Sequence, residues 1–207
     1  MLTKNSIMTA NRQRRCVAGV MSDNGGVAAV EFAMLVPIMI MLFIGAVEFG
    51  QALSVDRRVT QSASSSADLI ARAPVDGLTT ADVDGQMQII NQLMVPYDLA
   101  PLTVKVVSVI ARPVGPPPGK NIIVDWSRDN HGGTPYARNS AYALPSPALL
   151  DPGESVIIAE ATYLYTPLIF NYFLTSAFNL KETFYLKPRN SSCVNLKPIS
   201  CVTGNPI

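Results

Sequence analysis

A glutamate, Glu31, stands inside the long apolar stretch GGVAAVEFAMLVPIMIMLF, which begins at Gly25. The stretch predicts a membrane-spanning helix, and a carboxylate at the centre of such a helix costs about 3 kcal/mol on insertion scales. Between Val27 and Gly50 the charged residues are Glu31 and Glu48. Because a charge in hydrocarbon is costly, we expect Glu31 to have a function and a partner of opposite charge.

A second group that could do chemistry is Asp125, Asp129 and His131, close to Trp126. Their spacing does not distinguish them from an ordinary polar loop, and we expect Trp126 to pack in the core or at a sheet edge. The motifs of serine hydrolases, zinc peptidases, P-loop enzymes and dinucleotide-binding enzymes are absent from the sequence. We therefore expect neither enzyme activity nor a cofactor.

Two of the three cysteines, Cys193 and Cys201, lie near the C-terminus, whereas Cys16 lies in the basic N-terminal segment. If the chain crosses a membrane between these regions, the C-terminal pair lies in a compartment that permits disulfides. A disulfide there would close a nine-residue loop and stabilise the fold by about 2–3 kcal/mol in the chain-entropy model. A metal site is the weaker alternative, because no histidine or further cysteine is nearby.

Composition also indicates a membrane protein. Charged residues make up 15% of the 207 residues, against about 25% in a typical soluble domain, and the mean hydropathy is +0.25. The basic residues in 1–26 predict a cytoplasmic N-terminus, although Arg57 and Arg58 on the other side weaken this bias. A secretory signal peptide fits poorly, because the apolar run is long and contains Glu31. The near-neutral net charge and the lack of interleaved basic and aromatic residues predict no nucleic-acid partner.

The elements that would position these residues begin with one long helix from residue 27 to about residue 73. Its first part, 27–50, is long enough to cross a bilayer, and Pro37 is expected to kink it or loosen one turn. Its second part carries a narrow face of small residues that suits close helix packing: Ala52, Val59, Ala63, Ala67 and Ile70. A second helix is predicted at 79–95, capped by Thr79 or Thr80, with an apolar stripe: Val83, Met87, Ile90 and Met94.

Strands follow at 102–110, 121–127, 155–165 and 181–188, with a long loop at 128–154 and an apolar segment at 166–178. The absence of long helices between them predicts an antiparallel meander. The predicted fold is α+β: a long N-terminal hydrophobic transmembrane helix with an amphipathic extension, then a small antiparallel β-sheet head. The predicted parts are a leader (1–26), a transmembrane helix (27–50), a helical extension (51–95) and an extracytoplasmic head (96–207).

The order of basic leader, Gly26, four small or apolar residues, Glu31, Phe32 and apolar helix resembles the processing site of type IV pilin-like proteins. The resemblance implies that prepilin peptidase cuts after Gly26 and removes the leader. Val27 would become the new N-terminus, and Glu31 would be the fifth mature residue. Glu31 followed by Phe32 is similar to the Tad/Flp branch of these pilins.

With Pro37 inside the helix, Glu48 near its end and an Ala/Ser-rich extension, residues 25–73 resemble a TadE-like minor pseudopilin. The resemblance implies assembly roles for Glu31, Pro37 and Glu48. It implies several partners: prepilin peptidase, other minor pseudopilins, the major Flp pilin, the inner-membrane pilus assembly machinery and the membrane itself.

The implied location is the bacterial inner membrane, in a single pass with a periplasmic head; entry into an extracellular pilus stays open. The alternative is a signal-anchored membrane protein with an extracytoplasmic binding domain and no filament role.

Overall fold

The structure is a computed structural model, which describes residues 25–115, 119–169 and 177–201. The chain divides into two units, Met1–Phe49 and Gly50–Ile207. The predicted leader with Cys16 lies outside the described residues except for its last two glycines, and so does most of the apolar segment 166–178. A long apolar helix followed by an antiparallel sheet confirms the predicted α+β class.

Helix α1 (Gly25–Ala71) is continuous through Pro37 and ends two residues before the predicted end. Beyond Gly50 one face of α1 is fully buried: Val55, Val59, Ala63 and Ala67. These side chains belong to the same core cluster as residues of the strands. The small face was expected to suit close helix packing, and its core cluster includes Val83, Met87 and Ile90 of the second helix as well as residues of the sheet.

Helix α2 (Thr80–Gln92) ends three residues before the predicted end and buries Val83, Met87 and Ile90 of the predicted stripe. Met94, the last residue of that stripe, is also buried but lies beyond the helix. Thr79 is its N-cap: the Thr79 hydroxyl accepts from the Asp82 backbone N–H, and the Asp82 carboxylate accepts from the Thr79 backbone N–H at 2.8 Å. This reciprocal capping satisfies two donors that a helix start leaves without partners. The Thr79 hydroxyl also donates to the Asp82 carboxylate at 2.7 Å, and this bond, together with the one from the Thr79 backbone N–H, lowers the pKa of Asp82 below its ordinary value.

The four long strands are β2 (Leu102–Val114), β3 (Gly119–Asp129), β4 (Ser155–Tyr165) and β5 (Phe178–Leu186). Strand β4 has the predicted bounds, whereas β2 and β3 are longer and β5 begins and ends earlier. The sheet order is β3-β2-β4-β5, all antiparallel. The predicted meander is therefore wrong, because β4 pairs with β2 and not with β3.

The connection from β3 to β4 explains this order. Its side chains pack on the second apolar face of the sheet, including Tyr136, Tyr142 and Leu150. Tyr136 and Tyr142 both donate hydrogen bonds to Glu160 on β4, at 2.8 and 2.6 Å. Burial and the Glu160 carboxylate raise the pKa of Tyr136 to about 12. The long loop thus covers one face of the sheet and returns the chain beside β2, while α1 and α2 cover the other face.

A two-stranded parallel sheet, absent from the sequence-based prediction, joins β1 (Leu78–Thr79) to β6 (Leu196–Lys197). Gly77, just before β1, has φ +81°, and a Cβ there would lie 2.5 Å from the carbonyl oxygen of Asn195. Only glycine fits both the backbone conformation and this close approach. The Leu78 N–H donates to the same carbonyl at 2.8 Å.

The segment after β5 holds the end of α1. The Arg189 N–H donates to the Ala71 carbonyl at 2.9 Å, and the Asn190 amide donates to the carbonyls of Arg72 and Ala73 at 3.1 and 3.0 Å. Carbonyls at a helix C-terminus otherwise have no partner within the helix. This C-terminal strap, residues 189–190, therefore completes α1 with groups from the far end of the chain.

Candidate membrane and processing segment

The first half of α1, residues 26–49, is apolar, and the other described residues leave most of its side chains exposed. Among the described residues α1 is the one helix long and apolar enough to cross a membrane, with a mean hydropathy of 2.5 in an 18-residue window that is 0% buried. Large side chains all round it are exposed, such as Phe32 (64%) and Leu42 (69%). A helix that is apolar on every side needs an apolar surrounding. The length and apolar composition of residues 27–50 suit the hydrocarbon core of a bilayer.

Gly26, Val27, Glu31 and Phe32 lie on the first turns of α1, and all four are exposed. Val27 and Glu31 are four residues apart and therefore lie on the same face of the helix. A Cβ built on Gly26 would meet nothing within 4 Å. Packing within the described protein therefore does not explain a glycine at position 26.

Pro37 and Glu48 occupy different surroundings. Pro37 is exposed within the continuous helix. Glu48 is only 6% exposed, whereas its neighbours Val47 and Phe49 are 41% and 66% exposed. Sequence reasoning marked Glu48 from the family resemblance and gave no sign that the side chain is buried.

Cys193 and Cys201 are joined by a disulfide bond, with their Cα atoms 6.4 Å apart. The loop that they close carries Val194, whose carbonyl accepts a hydrogen bond from the Trp126 indole at 2.7 Å. Inside the same loop, Leu196 and Lys197 form strand β6. The loop thus connects the C-terminal segment to β3 and to β1, a structural role for this cysteine pair.

The group Asp125, Asp129 and His131 is not brought together as one site. The Asp129 carboxylate accepts from the backbone N–H groups of His131 and Gly133, which organises the turn after β3. His131 is exposed, and Trp126 is buried in the core as expected.

Asp125 alone is buried beside a cavity of about 230 Å³. Its carboxylate lies 3.5 Å from the Arg138 guanidinium, and burial raises its pKa. Within the described residues no group of three or more metal-ligating side chains could hold a metal ion.

Comparison with known proteins gives one match. Residues 26–68 match the family described as TadE-like protein. No curated protein and no solved structure matches the chain. The match begins at Gly26 and extends through the buried small face of α1, so it covers both halves of the helix. Residues 26–68 are therefore similar to the TadE-like family, which confirms the predicted resemblance over this part of the chain.

Proposed function

We propose that this chain is a minor pseudopilin that acts in the assembly of Tad/Flp pili, in adherence or secretion. Its residues 27–50 anchor it in the bacterial inner membrane, with the leader in the cytoplasm and the head in the periplasm. The observation that carries the proposal is the TadE-like match, which begins at Gly26 and includes the exposed apolar half of α1. The role is structural and not catalytic.

Processing by prepilin peptidase after Gly26 is the first step of the proposal. A peptidase must draw the chain into its cleft in an extended form, and glycine lets the backbone approach closely. Gly25 and Gly26 form the start of α1, and each glycine weakens a helix by about 1 kcal/mol relative to alanine. Two glycines in succession therefore make this end of the helix easy to unwind, and packing places no other demand on Gly26.

Glu31 provides the second step. Cleavage gives Val27 a free amine, with a reference pKa of about 8, so the amine is mainly cationic at neutral pH. The Glu31 carboxylate lies about 6 Å along the helix axis from Val27. Neighbouring subunits staggered by this distance would pair the amine of one with the carboxylate of the next. In lipid this pairing offsets the cost that a lone carboxylate bears in full.

Glu31→Gln tests the proposal, because it keeps the shape of the side chain and removes the charge. We expect the variant to be inserted and cleaved, with Val27 as its first residue by N-terminal sequencing. It should fail to co-purify with the other pilins, and cells should carry few or no pili. Asp76→Asn, which removes an exposed carboxylate in the turn after α1, is the matched control and should leave piliation normal.

Three results would contradict the proposal, and they are distinguishable. Normal piliation by a fully processed Glu31→Gln protein would refute the charge-pairing role. An intact Met1 on the wild-type membrane form would refute processing and favour a plain signal anchor with a binding domain. A soluble product that begins beyond residue 50 would refute membrane anchoring itself.

A further inference from the structure

A bulge in β3 gives Asp125 an unusual place in the sheet. Trp126 pairs with Ser108 of β2, whereas Val124 pairs with Val109, the next residue of β2. Asp125 therefore has no partner across the ladder. Trp126 packs in the core on the helix side of the sheet, and Val124 packs in the cluster on the other side. Bulges of this kind re-aim side chains and are frequent next to functional sites.

The Asp125 carboxylate is buried with an incomplete set of partners. Its side chain is 2% exposed, and Oδ1 lies 3.5 Å from a guanidinium nitrogen of Arg138. The same nitrogen donates to the Ser200 carbonyl at 3.1 Å. Within the described residues, Oδ2 of Asp125 has no hydrogen-bond partner. A carboxylate has about four acceptor sites, and burying a charge without partners is costly. The fold therefore keeps a hydrogen-bond acceptor here that the described residues do not satisfy.

The cavity of about 230 Å³ beside Asp125 provides space for a ligand. Three apolar residues contribute to its lining: Trp126, Leu196 and Ile199. Four further lining residues are exposed and mark its opening to solvent: Thr80, Thr134, Ala137 and Arg138. Pockets that hold drug-sized ligands have volumes of about 300–1,000 Å³. This smaller cavity suits a single side chain or a molecule of a few heavy atoms.

The charges around the cavity favour a neutral ligand over an ion. Arg138 faces Asp125, and Arg128, which also lines the cavity, donates to the Asp84 carboxylate at 2.7 and 2.6 Å. Each carboxylate is thus already paired with a guanidinium. The attraction of a cation to Asp125 would be offset by repulsion from Arg138, and an anion would meet the reverse. A neutral group that donates to Asp125 and accepts from Arg138 avoids both repulsions.

A primary carboxamide has this combination of groups. Its nitrogen carries two donors and its oxygen accepts, so adjacent atoms can serve Asp125 and Arg138 at the same time. The Arg138 side chain is 40% exposed, and a guanidinium has five N–H donors, which leaves donors for a ligand. The apolar walls suit the methylene groups that carry a carboxamide in Asn and Gln.

We infer that the cavity beside Asp125 binds a primary carboxamide, whose NH₂ group donates to Asp125 and whose oxygen accepts from Arg138. The source of the group is a free small amide or an Asn or Gln side chain of another protein, and both present the same chemistry. All the residues involved belong to the unit Gly50–Ile207. The site therefore depends neither on membrane anchoring nor on pilus assembly.

Trp126 reports on this site, because it lines the cavity and is the single tryptophan. The full chain in detergent is titrated with the N-acetyl methylamides of glutamine, lysine, glutamate and norleucine while tryptophan fluorescence is recorded. We expect a saturable change with the glutamine derivative and roughly tenfold weaker binding of the other three, because they lack the paired donor and acceptor. Free L-glutamine distinguishes the sources: tighter binding than the capped form indicates a small-molecule ligand, and weaker binding indicates a side chain within a polypeptide.

Two variants test the two contacts separately. Asp125→Asn keeps the shape of the side chain and removes its charge, and Arg138→Gln removes the guanidinium. We expect each to weaken binding of the glutamine derivative roughly tenfold. The urea midpoint of each variant checks that it is folded, and Arg138→Gln should fold even if Asp125→Asn does not, because Arg138 is exposed. Asp151→Asn removes an exposed carboxylate outside the cavity and should bind as the unchanged protein does.

Four results would overturn the inference. The first is the absence of a saturable change with the glutamine derivative up to its solubility limit. The second is tighter binding of the lysine or glutamate derivative, which would show that the cavity takes an ion. The third is equal binding of the norleucine derivative, which would show that the apolar walls alone bind. The fourth is unchanged binding by folded Asp125→Asn or Arg138→Gln protein, which would place the ligand elsewhere.

Discussion

The two halves of α1 have the same secondary structure and opposite surroundings. Residues 26–49 expose Met, Leu, Ile and Phe on all sides, and their most apolar window is 0% buried. From Gly50 onward the helix buries one face made largely of Ala, Ser and Val. A folded core has a fixed shape, so each buried side chain of this face must fit the neighbours that surround it. Lipid imposes no such shape, and large apolar side chains suit it.

The test with the largest expected effect places a lysine in each half of α1. Val59→Lys puts an unpaired charge where the native side chain is fully buried, and we expect a loss of about 3–5 kcal/mol in the free energy of unfolding of the head. Leu42→Lys falls in the exposed half, where we expect unchanged stability of the head and weaker membrane insertion, by about 3 kcal/mol on insertion scales.

Both lysine variants can be measured in the full chain in detergent. The buried Trp126 is the single tryptophan, so its fluorescence during urea titration reports unfolding of the head, and flotation with vesicles reports insertion. Equal urea midpoints for Val59→Lys and the unchanged protein would mean that the second half of α1 is not part of the core.

A smaller change sharpens the comparison without adding charge. Ala63→Leu adds methylene groups where the side chain has 0% exposure, and overpacking of this kind costs about 1–3 kcal/mol. Ala46→Leu makes the same chemical change at an exposed position, and we expect no effect on the head. The difference between the two urea midpoints measures how tightly the core packs around this face of α1. Identical midpoints would contradict the close packing described for this face.

The smallest expected effect concerns the exposed ion pairs of Asp68, on the part of α1 that follows Gly50. Asp68 pairs with Arg72 at 2.6 Å and with Arg189 at 2.5 Å, and both arginine side chains are more than half exposed. Exposed ion pairs contribute about 0.2–1 kcal/mol, so Asp68→Asn should lower the urea midpoint only slightly. Added salt should reduce the difference further. A loss comparable to that of Ala63→Leu would show that the pairs contribute more than solvent exposure allows.

Local patterns explain which parts of the fold could be predicted. The stripe of α2 and its cap are encoded within one short segment, so the sequence predicted most of the stripe and narrowed the cap to Thr79 or Thr80, of which Thr79 is the N-cap. The alternation in β4 is bounded by Pro and Gly, so its ends were also found. The pairing of β1 with β6 involves two residues on each strand, about 118 positions apart, and such a pair leaves no periodic signal.

In the candidate site, too, the sequence predicted the features that depend on local spacing and not those that depend on tertiary surroundings. The spacing of Gly26 and Glu31 is a local signal, and it was read from the sequence. The burial of Glu48 depends on surroundings that a sequence pattern does not contain. Val55 was missed on the buried face of α1, although it precedes Val59 by four residues and Ala63 by eight. A strict search at helical spacing would have included it.

The C-terminal strap is synthesised long after the helix end that it binds. Arg189 and Asn190 hold the end of α1 through hydrogen bonds that span more than 100 residues of sequence. A ribosome that adds about 5–20 residues per second needs roughly 6–24 s to make the chain between these partners. Throughout that interval the end of α1 lacks these partners and the apolar face beside it is incompletely covered. A nascent chain interrupted before residue 189 therefore keeps the carbonyls at the end of α1 without these partners.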